Sequence, residues 1–448
     1  MRVCAVVLLL VSGCEKLEEV TYCQDTRPTL PTHQGDTPTW EGNIRELMQR
    51  NCGSCHQPSG PTPILFEAYE DVTAYSDAIR SAVSSGRMPP WGAAPCCKSY
   101  KASRAMPDQE RAMLLAWLDA GAPSGSNTPS LLTPSTPPAL SRVDLTLEMP
   151  EAFTPDPAEG TEEQRCFMVD WPETSDLFMT GLHVEPGTRQ SVHHVIIYHP
   201  TDAREISQYE DMDGADGRPG WPCEGGRLGA STLLPPQGLG GWSPGSFPMD
   251  YPDGLGVKIP AGGKVIFQMH YTIDHGVFAD RTRLHFKLED SVDAEIYLLT
   301  VMDWNWALLP GDFIIPAGEK GTRYQLTQAL NVPSGYWNHV YPLKLYTVTL
   351  HMHEFGTRSR ISVEHDDGTS DCLLEIPEWS KEFMGDYWLE DPLLVRPGDK
   401  FFLECVYDNS SENQPTENGT RREPRDLTWD EDGEMCAAFV TIAGVPVK

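Results

Sequence analysis

From Val143 onward the chain repeats one pattern, short alternating or apolar runs separated by turn residues. The runs are DLFMTGLHVEPG, SVHHVIIYHP, KVIFQMHYTI, RTRLHFKLED, AEIYLLTVM, YPLKLYTVTLHMHEF, SRISVEHDDG, DKFFLECVYDN and MCAAFVTIAG. A period of two places alternate side chains on opposite faces of a strand. This part therefore reads as all-β, built as sandwiches or jelly rolls. A length of about 300 residues is too much for one sandwich, so two β domains are expected, residues 143–292 and 293–448. The 39 Pro and 38 Gly suit many short strands joined by turns.

Ahead of this region the apolar period is helical. EGNIRELMQR carries Ile44, Leu47 and Met48 at helical spacing. DVTAYSDAIRSAVSSG reads as a second helix stopped at Gly86. MPDQERAMLLAWLDAG reads as a third, opened by Pro107, with Asp108 and Glu110 in its first turn and Gly121 at its end. After the first helix stands NCGSCHQ, in which Cys52, Cys55 and His56 form the C-x-x-C-H pattern of covalent haem c attachment. Two thioethers fix the porphyrin and the histidine reaches the iron. Zinc would require a second paired-ligand element, and the next cysteines, Cys96 and Cys97, are adjacent. A thioredoxin-like motif would require a βαβ context. Residues 40–121 thus resemble a small all-α class I cytochrome c domain. The resemblance implies a methionine as sixth ligand on a loop before the last helix. Met88 in GRMPPW fits that place, with Met106 as runner-up and simple packing as the other reading of Met88. Residues 122–142 are rich in Pro, Ser and Thr without an apolar period, and read as a linker.

The N-terminus begins MRVCAVVLLLVSGCEK. Arg2 followed by a short apolar stretch reads as a secretory signal, too short to span a membrane. Its LVSGC ending resembles a bacterial lipobox. That implies cleavage after residue 13, lipidation of Cys14, a tether over residues 14–39, and a membrane attachment through this anchor only. The mature protein would then be exported, facing the periplasm or cell surface, where disulfides form. The net charge of −31 argues against a nucleic-acid partner, which needs clustered Lys and Arg.

Five of the 13 histidines fall in three apolar strands. One strand holds adjacent His193 and His194. Another holds His270, with Gln268 on the same face as a possible outer-shell partner. A third holds His351 and His353, which share a face. Met435 lies in GEMCAAF near the C-terminus. Over roughly residues 145–445 this order resembles the copper type II ascorbate-dependent monooxygenases, the group of peptidylglycine α-hydroxylating monooxygenase and dopamine β-monooxygenase. The resemblance implies two coppers. His193, His194 and His270 would hold one, which passes electrons. His351, His353 and Met435 would hold the other, where oxygen is activated. The ligand chemistry agrees: imidazole suits copper in both oxidation states, and a thioether favours Cu(I). One difficulty remains. Adjacent His193 and His194 point to opposite faces of an ideal strand, so both reach one ion only if the strand twists or one uses its nearer ring nitrogen. A third possibility is that His193 packs while His194 alone ligates. Disulfides Cys166–Cys223 and Cys405–Cys436 fit the same resemblance, the second fixing Met435 toward the metal. Cys23, Cys96, Cys97 and Cys372 have no assignment.

The departures bear on substrate. In peptide-amidating members an arginine two residues before H-x-H grips the substrate carboxylate; here Thr349 stands there. Their asparagine and tyrosine after the Met-Cys pair are Ala437 and Phe439 here. The expected activity is therefore hydroxylation of a C–H bond of a small organic substrate other than a glycine-extended peptide. It would use dioxygen and an external donor, ascorbate or a redox protein, with electrons entering through the haem. The alternatives are a non-catalytic copper-binding or electron-transfer lipoprotein, and an electron-accepting dehydrogenase partner using only the haem.

Overall fold

The computed structural model describes residues 30–444 except 59–61, 63, 134–138, 157, 159–161, 201, 224–236, 244–245, 247, 274–275, 310, 330–342, 418–419 and 430–432. The expected signal peptide, Cys14 and Cys23 lie outside the described residues.

Strands dominate. A long sheet runs, in spatial order, through Leu145–Glu148, Arg283–Glu289, Leu177–Glu185, Leu255–Ile259, Ala294–Val301, Ala437–Gly444, Leu343–His351 and Tyr387–Val395. Its two halves meet at one short parallel pairing, Ala294 with Leu255 and Glu295 with Gly256. Over the first half lies a five-stranded sheet ordered Trp221–Pro222, Glu162–Asp170, Lys264–Thr272, Val192–His199 and Gln237–Trp242. Phe167, Val195, Phe267, Leu182, Val257 and Leu284 pack between these layers. Over the second half lies a four-stranded sheet ordered Lys320–Ala329, Lys400–Asp408, Gly356–Glu364 and Ser370–Ile376. Its core joins Leu403, Ile361 and Leu374 to Leu345, Val348 and Val440. Each layer buries one apolar face, as alternation requires. The long sheet serves both cores.

The expected architecture, a small all-α cytochrome c domain followed by two all-β sandwich domains, is corrected here. The described chain is mostly β in several sheets, and its six α-helices are short. They run from 5 to 12 residues: Arg45–Asn51, Tyr69–Ala74, Ser76–Ser84, Asp108–Asp119, Ala203–Met212 and Trp304–Leu308. None among the described residues is long and apolar enough to cross a membrane.

The physical reason lies in the segment between Ser84 and Asp108. It forms no helix, and its middle, from Trp91 to Tyr100, packs on the C-terminal β core. Ala93 and Tyr100 are buried in that core, with Trp91 packed against it. Tyr100 bridges Leu389, the Ala94 N–H donates to the Glu375 carbonyl at 2.8 Å, and Cys97 is joined to Cys372. Cys96 is disulfide-bonded as well. The preceding helices therefore do not stand apart as an all-α unit. Nor does the expected linker hang free over its described first part. Leu132 is buried against the helices, and Trp40 Nε1 donates to the Ser130 carbonyl at 2.8 Å.

Candidate metal centre

The strand Val192–His199 pairs antiparallel with Lys264–Thr272. Val192 faces Tyr271 and His194 faces His270, so His193 is an extra residue with no partner in the ladder. This is a β-bulge, which bends the strand and re-aims its side chains. It removes the difficulty of adjacent histidines on opposite faces. His193 Nδ1 lies 3.2 Å from His194 Nδ1, and His270 Nδ1 lies 3.3 Å from the same atom. The ligating atoms of the three residues fall within 4.8 Å of one another. Burial, then the neighbouring imidazoles, push His194 well below its ordinary value. His270 is lowered by burial against the opposing pull of Glu162. Imidazoles whose nearer nitrogens converge on one point suit a copper ion.

Gln268 is buried, but its amide serves another partner. Its Nε2 donates to the Cys223 carbonyl at 3.1 Å. Cys223 is joined to Cys166, which faces Gln268 across the sheet. Gln268 thus holds the disulfide corner behind the histidines.

The second pair sits at the end of the strand Leu343–His351. The rings of His351 and His353 are 5.1 Å apart and near perpendicular, and Phe439 lies 6.2 Å from His351. Burial, then the charge of His353, push His351 down to about 3, so its imidazole is neutral at any physiological pH. Ala437 faces His351 in antiparallel register where the two strands end, and Met435 and His353 each stand two residues beyond that pair. Cys436 is joined to Cys405, and the Tyr407 hydroxyl donates to the Met435 carbonyl at 2.7 Å. Thr349 donates its hydroxyl to Asp386.

Glu434, fully buried, accepts from the backbone N–H groups of His353 at 2.7 Å, Phe355 and Met435. Burial pushes it up to about 8 despite these donors.

The two histidine sets lie near one another. His351 and His353 both contribute to lowering His194. An ionic chain also crosses between them: Glu354 to Lys381 at 2.6 Å, Lys381 to Glu162 at 3.5 Å, and Glu162 to His270 Nε2 at 3.4 Å. The nearby His270, foremost, holds Glu162 down to about 2. A carboxylate beside the far nitrogen favours a proton there, the tautomer that leaves Nδ1 with its lone pair. Replacing Glu162 with glutamine is expected to weaken copper binding at this set by about 10-fold, the lower end of outer-shell effects. Cu(I) competition titration of the two sets checks this. An unchanged affinity would mean His270 keeps its orientation without the carboxylate.

The C-x-x-C-H element lies apart, on the first helix and the turn after it. Cys52 and Cys55 are free thiols. His56 Nδ1 lies 2.8 Å from the Ile64 carbonyl, which makes it the donor and leaves Nε2 with its lone pair. The His56 ring stacks on Phe66 at 4.3 Å. Met106 is buried in the helical core that Cys52 also touches, whereas Met88 is half-buried and not among the side chains packed there.

Glu162, Lys381 and Glu434 are the groups that the sequence reading missed. Only Glu434 had a local signal, a carboxylate immediately before the Met-Cys pair.

Residues 336–443, which include His351, His353 and Met435, match the family model described as copper type II ascorbate-dependent monooxygenase, C-terminal domain. The match supports that family and, at a coarse level, a copper-dependent monooxygenase. No curated protein matches the chain. Among solved structures, the infectious bursal disease virus VP2 subviral particle is 10% identical, with 69% of this chain and 74% of that chain covered at a TM-score of 0.18. Paenibacillus xanthan lyase is 11% identical, with 70% and 28% covered at a TM-score of 0.17. Likenesses this weak carry no argument.

Proposed function

We propose that the protein hydroxylates a C–H bond of a small organic substrate with dioxygen at two copper sites. Electrons would come from an external donor through a haem attached at Cys52 and Cys55. The observation that carries the copper reading is the convergence of three Nδ1 atoms, from His193, His194 and His270, near the H-x-H pair. Copper supplies the one-electron chemistry that dioxygen needs. The chain supplies the rest. Three imidazoles without a soft ligand suit a copper that passes electrons. His351 and His353, with the Met435 thioether, favour Cu(I) and leave a position open. Phe439 beside His351 gives that position an apolar neighbour, and Thr349, engaged by Asp386, offers no cation for a substrate carboxylate.

The haem reading rests on two free thiols in a chain whose other described cysteines are disulfide-bonded, and on the freed Nε2 of His56. It requires no autonomous cytochrome domain. The sixth iron ligand in this reading is Met88, half-buried on the loop before the last helix, with Met106 in the helical core as the alternative. Three described disulfides agree with an exported protein, anchored through Cys14 in this reading.

The test is metal and haem content of purified, reconstituted full-length protein. Two coppers and one haem per chain are expected. Absence of copper overturns the enzyme reading. Two coppers without haem would leave the enzyme and remove the proposed entry point for electrons. Two coppers without oxygen-dependent turnover of any C–H substrate would favour a copper-binding or electron-transfer role.

A further inference from the structure

The Glu434 carboxylate joins two segments of chain that are far apart in sequence. One oxygen accepts from the N–H groups of His353, at 2.7 Å, and Met435, at 3.3 Å; the other accepts from the N–H of Phe355. A further backbone N–H, that of Gly356, also bonds to it. Among the described residues no basic side chain pairs with it. Burying a polar carboxyl group, charged or neutral, is costly, and an apolar residue would fill the same space without that cost. What the carboxylate adds is a hold on the turn that carries His353 and, at once, on the residue that carries the thioether. The other contacts close the grip from outside. Trp379 Nε1 donates to the His353 carbonyl at 3.0 Å, and the Tyr407 hydroxyl to that of Met435 at 2.7 Å. Gly356 packs so tightly that a Cβ there would come within 2.8 Å of Met352 and Trp379.

We propose that Glu434 is a positioning residue that locks the H-x-H turn to Met435 before any metal arrives, so that the copper ligands of separate strands form one preset unit. This rests on the copper reading above. Glutamine keeps the size of Glu434 but turns an NH₂ group toward backbone donors, so one side of the grip opens.

The experiment compares wild-type protein, Glu434→Gln and Glu434→Asp, each loaded with Cu(I). It reads copper stoichiometry, affinity by competition, and copper–sulfur scattering by X-ray absorption. In Glu434→Gln the methionine-containing site is expected to bind about 10- to 100-fold more weakly. It should also lose its sulfur signal, while the three-histidine site is unchanged. Glu434→Asp should recover part of both. Wild-type affinity and sulfur scattering in Glu434→Gln would overturn the proposal. Absence of a sulfur-ligated copper in the wild type would instead overturn the copper reading. Should Glu434→Gln fail to fold, hydrogen exchange on copper-free wild-type protein decides. Amides of His353, Phe355 and Gly356 are expected to be as protected as those of the adjoining strands, and exchange at the rate of an open turn would overturn the proposal.

Discussion

Met435→Ile should stop oxygen-dependent turnover while leaving the fold and the three-histidine set intact. The two side chains are close in volume, and swaps of that kind usually cost less than about 1.5 kcal/mol. Met435 is half-buried, and its position is held through its backbone by Tyr407 and Glu434, not through its side chain. The register opposite His351 is set by the strand Ala437–Gly444 and the Cys405–Cys436 disulfide, neither of which changes. What disappears is the soft ligand, and with it the preference of that site for Cu(I). The loss should exceed the factor of about 100 that removal of an outer-shell partner can cause. Product formation, together with carbon monoxide binding to the reduced protein, checks it. Copper at His193, His194 and His270 should titrate as in the wild type. Full turnover in this variant would remove Met435 from the site.

The histidine pairs were legible because alternation is local. His351 and His353 are two residues apart, and although the strand ends at His351 their rings still stand 5.1 Å from each other. The bulge that brings in His193 was not legible. It is a one-residue mismatch between strands more than 60 residues apart, and no local pattern records it. The same holds for the Glu354–Lys381–Glu162–His270 chain, whose members come from separate strands and loops. The helical reading of residues 40–121 failed as a domain for a related reason. Helical periods near Leu47, Ile79 and Leu114 are present, and these residues share a core. Periodicity does not say where the residues between helices go, and the stretch holding Trp91, Cys97 and Tyr100 went to the β core.

Cys97→Ser combined with Cys372→Ser should destabilise the protein by about 3–5 kcal/mol, because this disulfide closes a long loop. Its partners are 275 residues apart, so breaking it frees a large part of the unfolded chain. The other contacts of the segment cannot replace that constraint. They include the Ala94 N–H to the Glu375 carbonyl at 2.8 Å, the Lys101 N–H to the Trp388 carbonyl at 2.7 Å, the Tyr100 hydroxyl to the Leu373 carbonyl at 2.8 Å, and the half-exposed pair Lys98–Asp371 at 2.7 Å. Each contributes on the order of 1 kcal/mol or less. The packing of Trp91 against Tyr387, ring centres 4.9 Å apart, should then loosen. Tyr387 faces Val348 on the strand that ends in His351, so the weakened segment lies directly behind the second histidine pair. Calorimetry of the copper-free protein should show the β core melting roughly 6–20 °C lower, at the few degrees per kcal/mol usual for domains of this size. Limited proteolysis should cut first between residues 87 and 107. The single variant Cys97→Ser is a poorer test, since it leaves a thiol at Cys372 free to exchange with other disulfides. An unchanged melting temperature would mean that the hydrogen bonds and aromatic packing hold this segment without the covalent link. The helices would then owe their attachment to the β layer to packing alone.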